Sequence, residues 1–344
     1  MAYRAAIVGA SGYTGGELLR LLAGHGEMEV VHVTADANAG ARVSDVYPAL
    51  TPAYPDTRFA PLDAADLRGL DLVFCALPHG ASQALVPALI DDVAHVIDLG
   101  ADFRLPPDVY ARWYGESHAA PAVVGRFAYG LVELYRKELT THAHVASPGC
   151  YPTAVSLACA PLLALRLVEP RVIADAVSGL SGAGRSLKTT SLFAEANENV
   201  SAYSLLTHRH TAEMEQALSK VARRHVDVLF TPHLVPTTRG ILATCYARSA
   251  TAGLSTARLL EHYRDFYASD PCVVVVDEPS GTKATYGANV VHVTVRFDER
   301  TATVIAIAAE DNLVKGASGQ MIQAANVVLG MPETTGLPLV GIQP

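Results

Sequence analysis

Two kinds of hydrophobic spacing divide the chain. In the first half, short unbroken apolar runs recur at Ala5-Ala6-Ile7-Val8, at 30–33, at 72–77 and at 95–99. Runs this short and this apolar predict strands buried on both faces, with helical segments between them such as the one around Leu18, Leu19 and Leu22. That alternation predicts an α/β unit built on a Rossmann-type, doubly wound parallel sheet. Past residue 150 the period changes to two. Val291, Val293, Val295 and Phe297 fall on one face, with His292, Thr294 and Arg296 on the other. This is the pattern of an antiparallel sheet with one covered face. Segments 241–246, 273–276 and 303–308 fit the same sheet, so the second half reads as an α+β unit with a mostly antiparallel sheet. Its open face is available to another subunit. The expected boundary separates 1–148 from 149–312.

Composition narrows the class. A chain of 344 residues, half of them hydrophobic, suits two domains that each bury a core. The formal net charge of -8 is spread without a basic stripe, which excludes a nucleic-acid grip and leaves small molecules as partners. Cys75, Cys150, Cys159, Cys245 and Cys272 form no C-x-x-C pair, as expected of reduced thiols in a cytosol. Met1-Ala2-Tyr3-Arg4 runs straight into a strand with no signal-peptide layout, and no apolar run is long enough for a bilayer. The expectation is a soluble, cytoplasmic protein.

Immediately after the first strand comes Gly9-Ala10-Ser11-Gly12-Tyr13-Thr14-Gly15, followed by the leucine-rich helix. Glycines let a backbone turn tightly and approach a pyrophosphate, which the N–H groups of the helix start then bind. The site reads as one for a dinucleotide. Asp36, near the end of the second strand, favours a ribose 2′-hydroxyl and hence NAD; Thr34 and Arg42 could instead meet the 2′-phosphate of NADP. Residues 77–80 and 100–104 follow later strands at the same sheet edge. There His79 is either a ligand or a turn residue, and Arg104 either clamps an anionic substrate or pairs with Asp102 at the surface.

Ser147-Pro148-Gly149-Cys150-Tyr151-Pro152-Thr153 places one thiol at the start of a helix whose continuation is rich in alanine and leucine. The helix dipole and unpaired N–H groups there favour a thiolate, a nucleophile, and can hold an oxyanion. Thr207-His208-Arg209-His210-Thr211 precedes an amphipathic helix, with Thr211 as the expected cap. The positive helix end keeps a nearby imidazole neutral, which suits His210 to general-base work. A zinc site from His208, His210, His225 and His233 has no helical i,i+4 pair and no acidic partner, so no metal is expected. The Ser178 to Arg185 segment is a flexible Ser/Gly turn after a strand, able to border a cofactor ring or to be only a loop.

Together these landmarks, with Asp311-Asn312-Leu313-Val314-Lys315-Gly316, resemble the N-acetyl-gamma-glutamyl-phosphate reductases, within the amino-acid-semialdehyde dehydrogenase group, from end to end. The resemblance implies an NADPH-dependent reductase of arginine biosynthesis with Cys150 as nucleophile and His210, with His208 nearby, handling protons and substrate. It implies cofactor contacts from Gly9, Ser11, Gly12, Tyr13, Thr14, Gly15, Thr34, Ser181, Gly182 and Asn312, and substrate contacts from Arg104 and His208. It further implies that residues 313–344 return to the first unit and that the chain forms a homo-oligomer, a dimer or tetramer. The alternatives are the carrier-linked aminoadipyl-phosphate reductase of lysine biosynthesis, aspartate-semialdehyde dehydrogenase, and a nucleotide-binding regulator without turnover.

Overall fold

The structure, a computed structural model, describes residues 2–343. The chain divides into two compact units, one running to Pro148 and including Ala317–Leu337, the other holding Gly149–Gly316 and the residues from Pro338 onward. The returning segment is therefore shorter than the expected 313–344: residues 313–316 and the tail group with the second unit.

The first unit contains β1 (Tyr3–Val8), β2 (Met28–Val33), β3 (Leu72–Cys75), β4 (His95–Asp98), β5 (Phe127–Tyr129) and β6 (His144–Ala146), ordered β2-β1-β3-β4-β6-β5. Every pairing is parallel. Continuous apolar strands suit such a sheet because both faces are covered, and Ala5, Ile7, Leu72, Phe74 and Ile97 have no exposed surface. The chain steps from β1 to β2 on one side and then to β3 on the other. This makes the carboxyl end of β1 the switch point where doubly wound sheets bind ligands. The returning helix Gly319–Val328 is buried nearly all round. Its polar side chains are matched within the unit: Gln320 Nε2 donates to the Gly130 carbonyl at 2.8 Å, and Gln323 Nε2 to Glu133 Oε1 at 2.8 Å.

In the second unit, β7 (Arg171–Ser178), β8 (Ser201–Ala202), β9 (Asp227–Leu234), β10 (Ile241–Arg248), β11 (Val273–Val275), β12 (Val291–Asp298) and β13 (Thr303–Glu310) run in the order β11-β12-β13-β10-β7-β9-β8. The β7–β9 and β11–β12 pairs are parallel and the rest antiparallel. Helices Cys150–Ala164, His210–Ala222 and Thr256–Phe266 cover one face. Small side chains there, among them Ala174, Ala176, Ala243, Ala306 and Ala308, let the helices lie close. The other face leaves Ile173 and Leu229 exposed on neighbouring strands.

Helix Cys150–Ala164 is buried from Tyr151 through Leu163 and carries Pro161 in its interior. A proline there has no N–H for the carbonyl four residues back. The Tyr267 hydroxyl donates to that carbonyl, of Leu157, at 2.5 Å, so the helix keeps its course without an orphaned acceptor.

At the start of β6, His144 Nδ1 accepts the Val96 N–H at 3.1 Å, and burial pushes the imidazole pKa down to about 4. A folded value below the ordinary 6.5 means the contribution is complete above pH 6.5 and is lost as the pH falls toward 4. The loss should approach about 3 kcal/mol at the acid limit. Urea unfolding at pH 7 and pH 5 should show a smaller acid loss in His144→Asn than in the unaltered chain; an equal loss would remove His144 from the account.

Candidate active site

In the first unit, β1 runs directly into the glycine turn, and helix Tyr13–Leu22 begins with Gly12 as its N-cap. Gly9 has φ +82°, and a Cβ on it would lie 2.4 Å from the Ala76 carbonyl oxygen; one on Gly15 would lie 2.5 Å from the Gly9 oxygen. Both positions need glycine for close backbone approach. Gly12 is different: a Cβ there would meet nothing nearer than 3.5 Å, so its lack of a side chain keeps the mouth of the turn low. The turn thus fits the pyrophosphate of a dinucleotide, with Ser11, Gly12, Tyr13 and Thr14 at the helix start. Thr34 is buried and binds through its backbone, its carbonyl accepting the Ala10 N–H at 2.8 Å.

Tyr47 carried no signal in the sequence. Its hydroxyl is shared between the carbonyls of Ser11 and Gly12, at 2.8 and 2.7 Å, and its ring occupies the space a Cβ on Gly16 would need. Those contacts turn the two carbonyls toward the tyrosine. At the ends of β3 and β4, Asp102 is fully buried and accepts from the Gly80 N–H at 2.9 Å, with His79 Nδ1 at 3.2 Å. It organises the 79–83 turn instead of pairing with Arg104 at the surface. Arg104 is itself buried and gives Nη2 to the Leu99 carbonyl at 2.5 Å. Asp98 accepts from Ser82 Oγ at 2.7 Å and the Gly100 N–H at 3.0 Å, while burial and Asp102 raise its pKa to about 7.

In the second unit, Cys150 is half-buried and is the first residue of its helix. No carbonyl within the helix can accept the Cys150 and Tyr151 N–H groups. The preceding N–H, of Gly149, donates to Glu213 Oε1 at 2.7 Å. Glu213 lies in the first turn of helix His210–Ala222 and is 1% exposed, so one buried carboxylate joins the starts of both helices. Gly316 closes the other side: a Cβ on it would lie 2.8 Å from Cys150 Cβ and 2.8 Å from Glu310 Oε1.

Around Tyr151 the rings of His208, His210 and Phe230 stand at 5.6, 6.0 and 5.1 Å, and the two histidines lie 4.8 Å apart. Thr211 is not the cap. The helix starts one residue earlier, and His208 Nδ1 accepts the His210 N–H at 3.2 Å. Burial, then the charge of Arg209, pushes the His208 pKa down to about 4. The neutral ring, accepting at Nδ1, is therefore assigned its proton on Nε2. Tyr203 donates to the Tyr151 hydroxyl at 3.1 Å, and burial raises the pKa of both phenols, that of Tyr203 to about 12. Asn312 Nδ2 donates to Ser181 Oγ at 2.9 Å while its Oδ1 takes the Gly240 N–H at 2.7 Å, which fixes the Ser181-Gly182 turn. His208 and His210 thus cluster round Tyr151, next in the chain after Cys150, in the second unit. Ser181, Gly182 and Asn312 form another there, and the glycine turn, Thr34 and Arg104 belong to the first unit. Among the described residues, no group of three or more His, Cys, Asp or Glu side chains could hold a metal, and no helix is long and apolar enough to cross a membrane.

A parallel dinucleotide-type sheet followed by a mixed-sheet unit that opens on a cysteine defines the semialdehyde dehydrogenase class. Residues 4–142 match the family model of the semialdehyde dehydrogenase NAD binding domain, and 150–312 that of the semialdehyde dehydrogenase dimerisation domain. Among solved structures, aspartate semialdehyde dehydrogenase II from Vibrio cholerae superposes with a TM-score of 0.72 over 96% of this chain and 99% of that one, at 16% identity. Aspartate semialdehyde dehydrogenase with NADP from Candida albicans gives 0.68 over 96% and 99%, also at 16% identity. At such identities these share the fold alone. The N-acetyl-gamma-glutamyl-phosphate reductases of Symbiobacterium thermophilum and Saccharopolyspora erythraea are each 47% identical, the first over 98% of both chains and the second over 100% of both. The chain belongs to the N-acetyl-gamma-glutamyl-phosphate reductase family.

The Glu213 bond yields a direct test. Glu213→Ala leaves the Gly149 N–H without its acceptor and should cost about 1–3 kcal/mol in urea unfolding. Glu213→Gln keeps an oxygen there and should lose less than half as much. Equal losses from the two variants would show that the carboxylate does not anchor the nucleophile's helix.

Proposed function

We propose that the chain reduces N-acetyl-L-glutamyl 5-phosphate to N-acetyl-L-glutamate 5-semialdehyde, releasing phosphate, with NADPH as reductant, in arginine biosynthesis. The observation that carries the reading is the half-buried Cys150 at the first position of its helix, with His208 and His210 gathered round the adjoining Tyr151. The named relatives favour the N-acetylglutamyl substrate over the aspartyl one.

Cys150, deprotonated, adds to the acyl carbon of the acyl phosphate. The N–H groups of Cys150 and Tyr151 at the helix start bind the oxygen on which charge develops. Phosphate leaves and the acyl group remains as a thioester on Cys150. A thioester is more electrophilic than a carboxylate and stays fixed in place. The Gly9 to Gly15 turn, with Thr34, Ser181, Gly182 and Asn312 as further contacts, would hold NADPH, which when bound would supply the hydride to the acyl carbon; the C–S bond then breaks, the semialdehyde leaves and Cys150 is regenerated as thiolate. His210 accepts the thiol proton on the way in. His208, neutral with its proton on Nε2, donates a hydrogen bond to substrate oxygen. Arg104 pairs with an anionic group of the substrate.

The open face of the second sheet, with Ile173 and Leu229 exposed, is where a second copy packs, making a homo-oligomer. Changing Cys150 to Ala should cut reduction on the order of a thousandfold or more while NADPH affinity stays within about twofold. A variant that kept a tenth of the activity would contradict covalent capture.

A further inference from the structure

Within the second unit, residues 338–343 lie as a strap along the turn 281–289. The Asn289 N–H donates to the Pro338 carbonyl at 2.7 Å, and the Ile342 N–H to the Tyr286 carbonyl at 2.7 Å. Between these bonds the two backbones approach so closely that a Cβ on Gly341 would stand 2.3 Å from the Ala284 carbonyl oxygen. Gly287, at φ +76°, is the counterpart in the turn, where a Cβ would lie 3.0 Å from Ile342 Cδ1. Val340 is 83% exposed and Ile342 67%, so backbone bonds and close approach, more than buried side chains, hold the strap down.

The turn beneath the strap backs the residues that fix Ser181 and Gly182. The Gly287 N–H donates to Asp311 Oδ2 at 2.8 Å. Asp311 is fully buried and also accepts from the Leu313 N–H at 2.8 Å and from Arg239 Nη1 at 3.5 Å, which sets the start of the 311–316 segment. Tyr286 stacks under the Arg239 guanidinium, 5.7 Å from its ring centroid. Thr282 fills the space beside Gly240, where a Cβ would lie 2.6 Å from Thr282 Cβ. Gly240 in turn gives its N–H to Asn312 Oδ1 and accepts the Gly179 N–H at 2.9 Å, while the Ser181 N–H reaches the Thr238 carbonyl at 3.1 Å. Bonded backbone groups therefore connect an exposed strap to the Ser181-Gly182 turn, through Asp311 on one side and Gly240 on the other.

We infer that the strap 338–343 is a positioning element for the reduction step. By holding the 281–289 turn it fixes Asn312 and the Ser181-Gly182 turn, against which the cofactor ring is set. This rests on the assignment of those three residues to the cofactor. Capture of the acyl group on Cys150 uses none of them, so the strap acts on one half of the reaction only. Loosening it leaves capture intact and slows hydride transfer, which tolerates a misplacement of no more than about an ångström.

Gly341→Ala drives a Cβ into the Ala284 carbonyl, and Ile342→Pro deletes the N–H that Tyr286 accepts; Val340→Ser, at an exposed position, is the control. Hydrogen exchange read by mass spectrometry on the full chain without cofactor should show peptides covering 179–184 and 281–289 exchanging about tenfold faster in the first two variants. Peptides from the helix Cys150–Ala164 should be unchanged, and Val340→Ser should match the unaltered chain. In the same two variants acylation of Cys150 by N-acetyl-glutamyl phosphate should stay within about twofold, whereas single-turnover reduction of the thioester by NADPH should slow about tenfold. Unchanged exchange at 179–184 would overturn the link from strap to turn. Faster exchange with acylation and reduction slowed alike, or with neither slowed, would overturn the positioning role. If the unaltered chain does not acylate Cys150, the proposed reaction fails and takes the positioning role with it, while the exchange result still shows whether the strap holds the turn.

Discussion

A wholly buried helix has to begin somewhere, and its first N–H groups have to find partners there. In the helix Cys150–Ala164 one of those partners is the carboxylate of Glu213, 2.7 Å from the Gly149 N–H. That bond decides where the thiol sits relative to the histidine helix, because Glu213 lies one turn into the helix that His210 begins. Without it a buried N–H would be left over where the two helix starts meet. The same economy governs the rest of the helix: Tyr267 answers the carbonyl that Pro161 cannot serve, and Gly316 leaves room beside Cys150 for nothing larger than hydrogen.

Two positive helix ends therefore work side by side with different duties. The end at Cys150 ties the Gly149 N–H to the Glu213 carboxylate at 2.7 Å. The other end spends the His210 N–H on His208, which keeps that ring neutral and leaves Nε2 as a donor. Burial does most of this work, since a charged imidazole in that cluster would be poorly solvated. In the first unit the logic is similar but the ligand is larger. Tyr47 takes the Ser11 and Gly12 carbonyls of the glycine turn, two acceptors that would otherwise oppose an anionic pyrophosphate.

The sequence made legible what depends on local period and local chemistry. Short apolar runs became the strands of a parallel sheet, alternation became β12 with Val291, Val293 and Val295 fully buried, and the cysteine did start a helix. Partners distant in the chain were invisible. Tyr47 serves carbonyls 36 and 35 residues away, Glu213 a backbone group 64 residues away, and Tyr267 one 110 residues away. Asp102 looked like half of a surface pair because its true partners, at residues 79, 80 and 83, come from another strand end. Thr211 looked like a cap because threonine commonly is one, but a histidine two residues before the helix did that task. The parallel pairs β7–β9 and β11–β12 escaped an alternation argument, which reads faces and not strand direction.

The central claim is that an acyl group is captured on one sulfur before it is reduced. Mixing the protein with N-acetyl-glutamyl phosphate in the absence of any nicotinamide cofactor, then quenching in acid and digesting, tests this most directly by mass spectrometry. The account predicts the mass of one N-acetylglutamyl group on the peptide that carries Cys150, removed by hydroxylamine and lost when NADPH is added before the quench. An unmodified Cys150 peptide under conditions where the protein turns over, or the same group found on another residue, would contradict it.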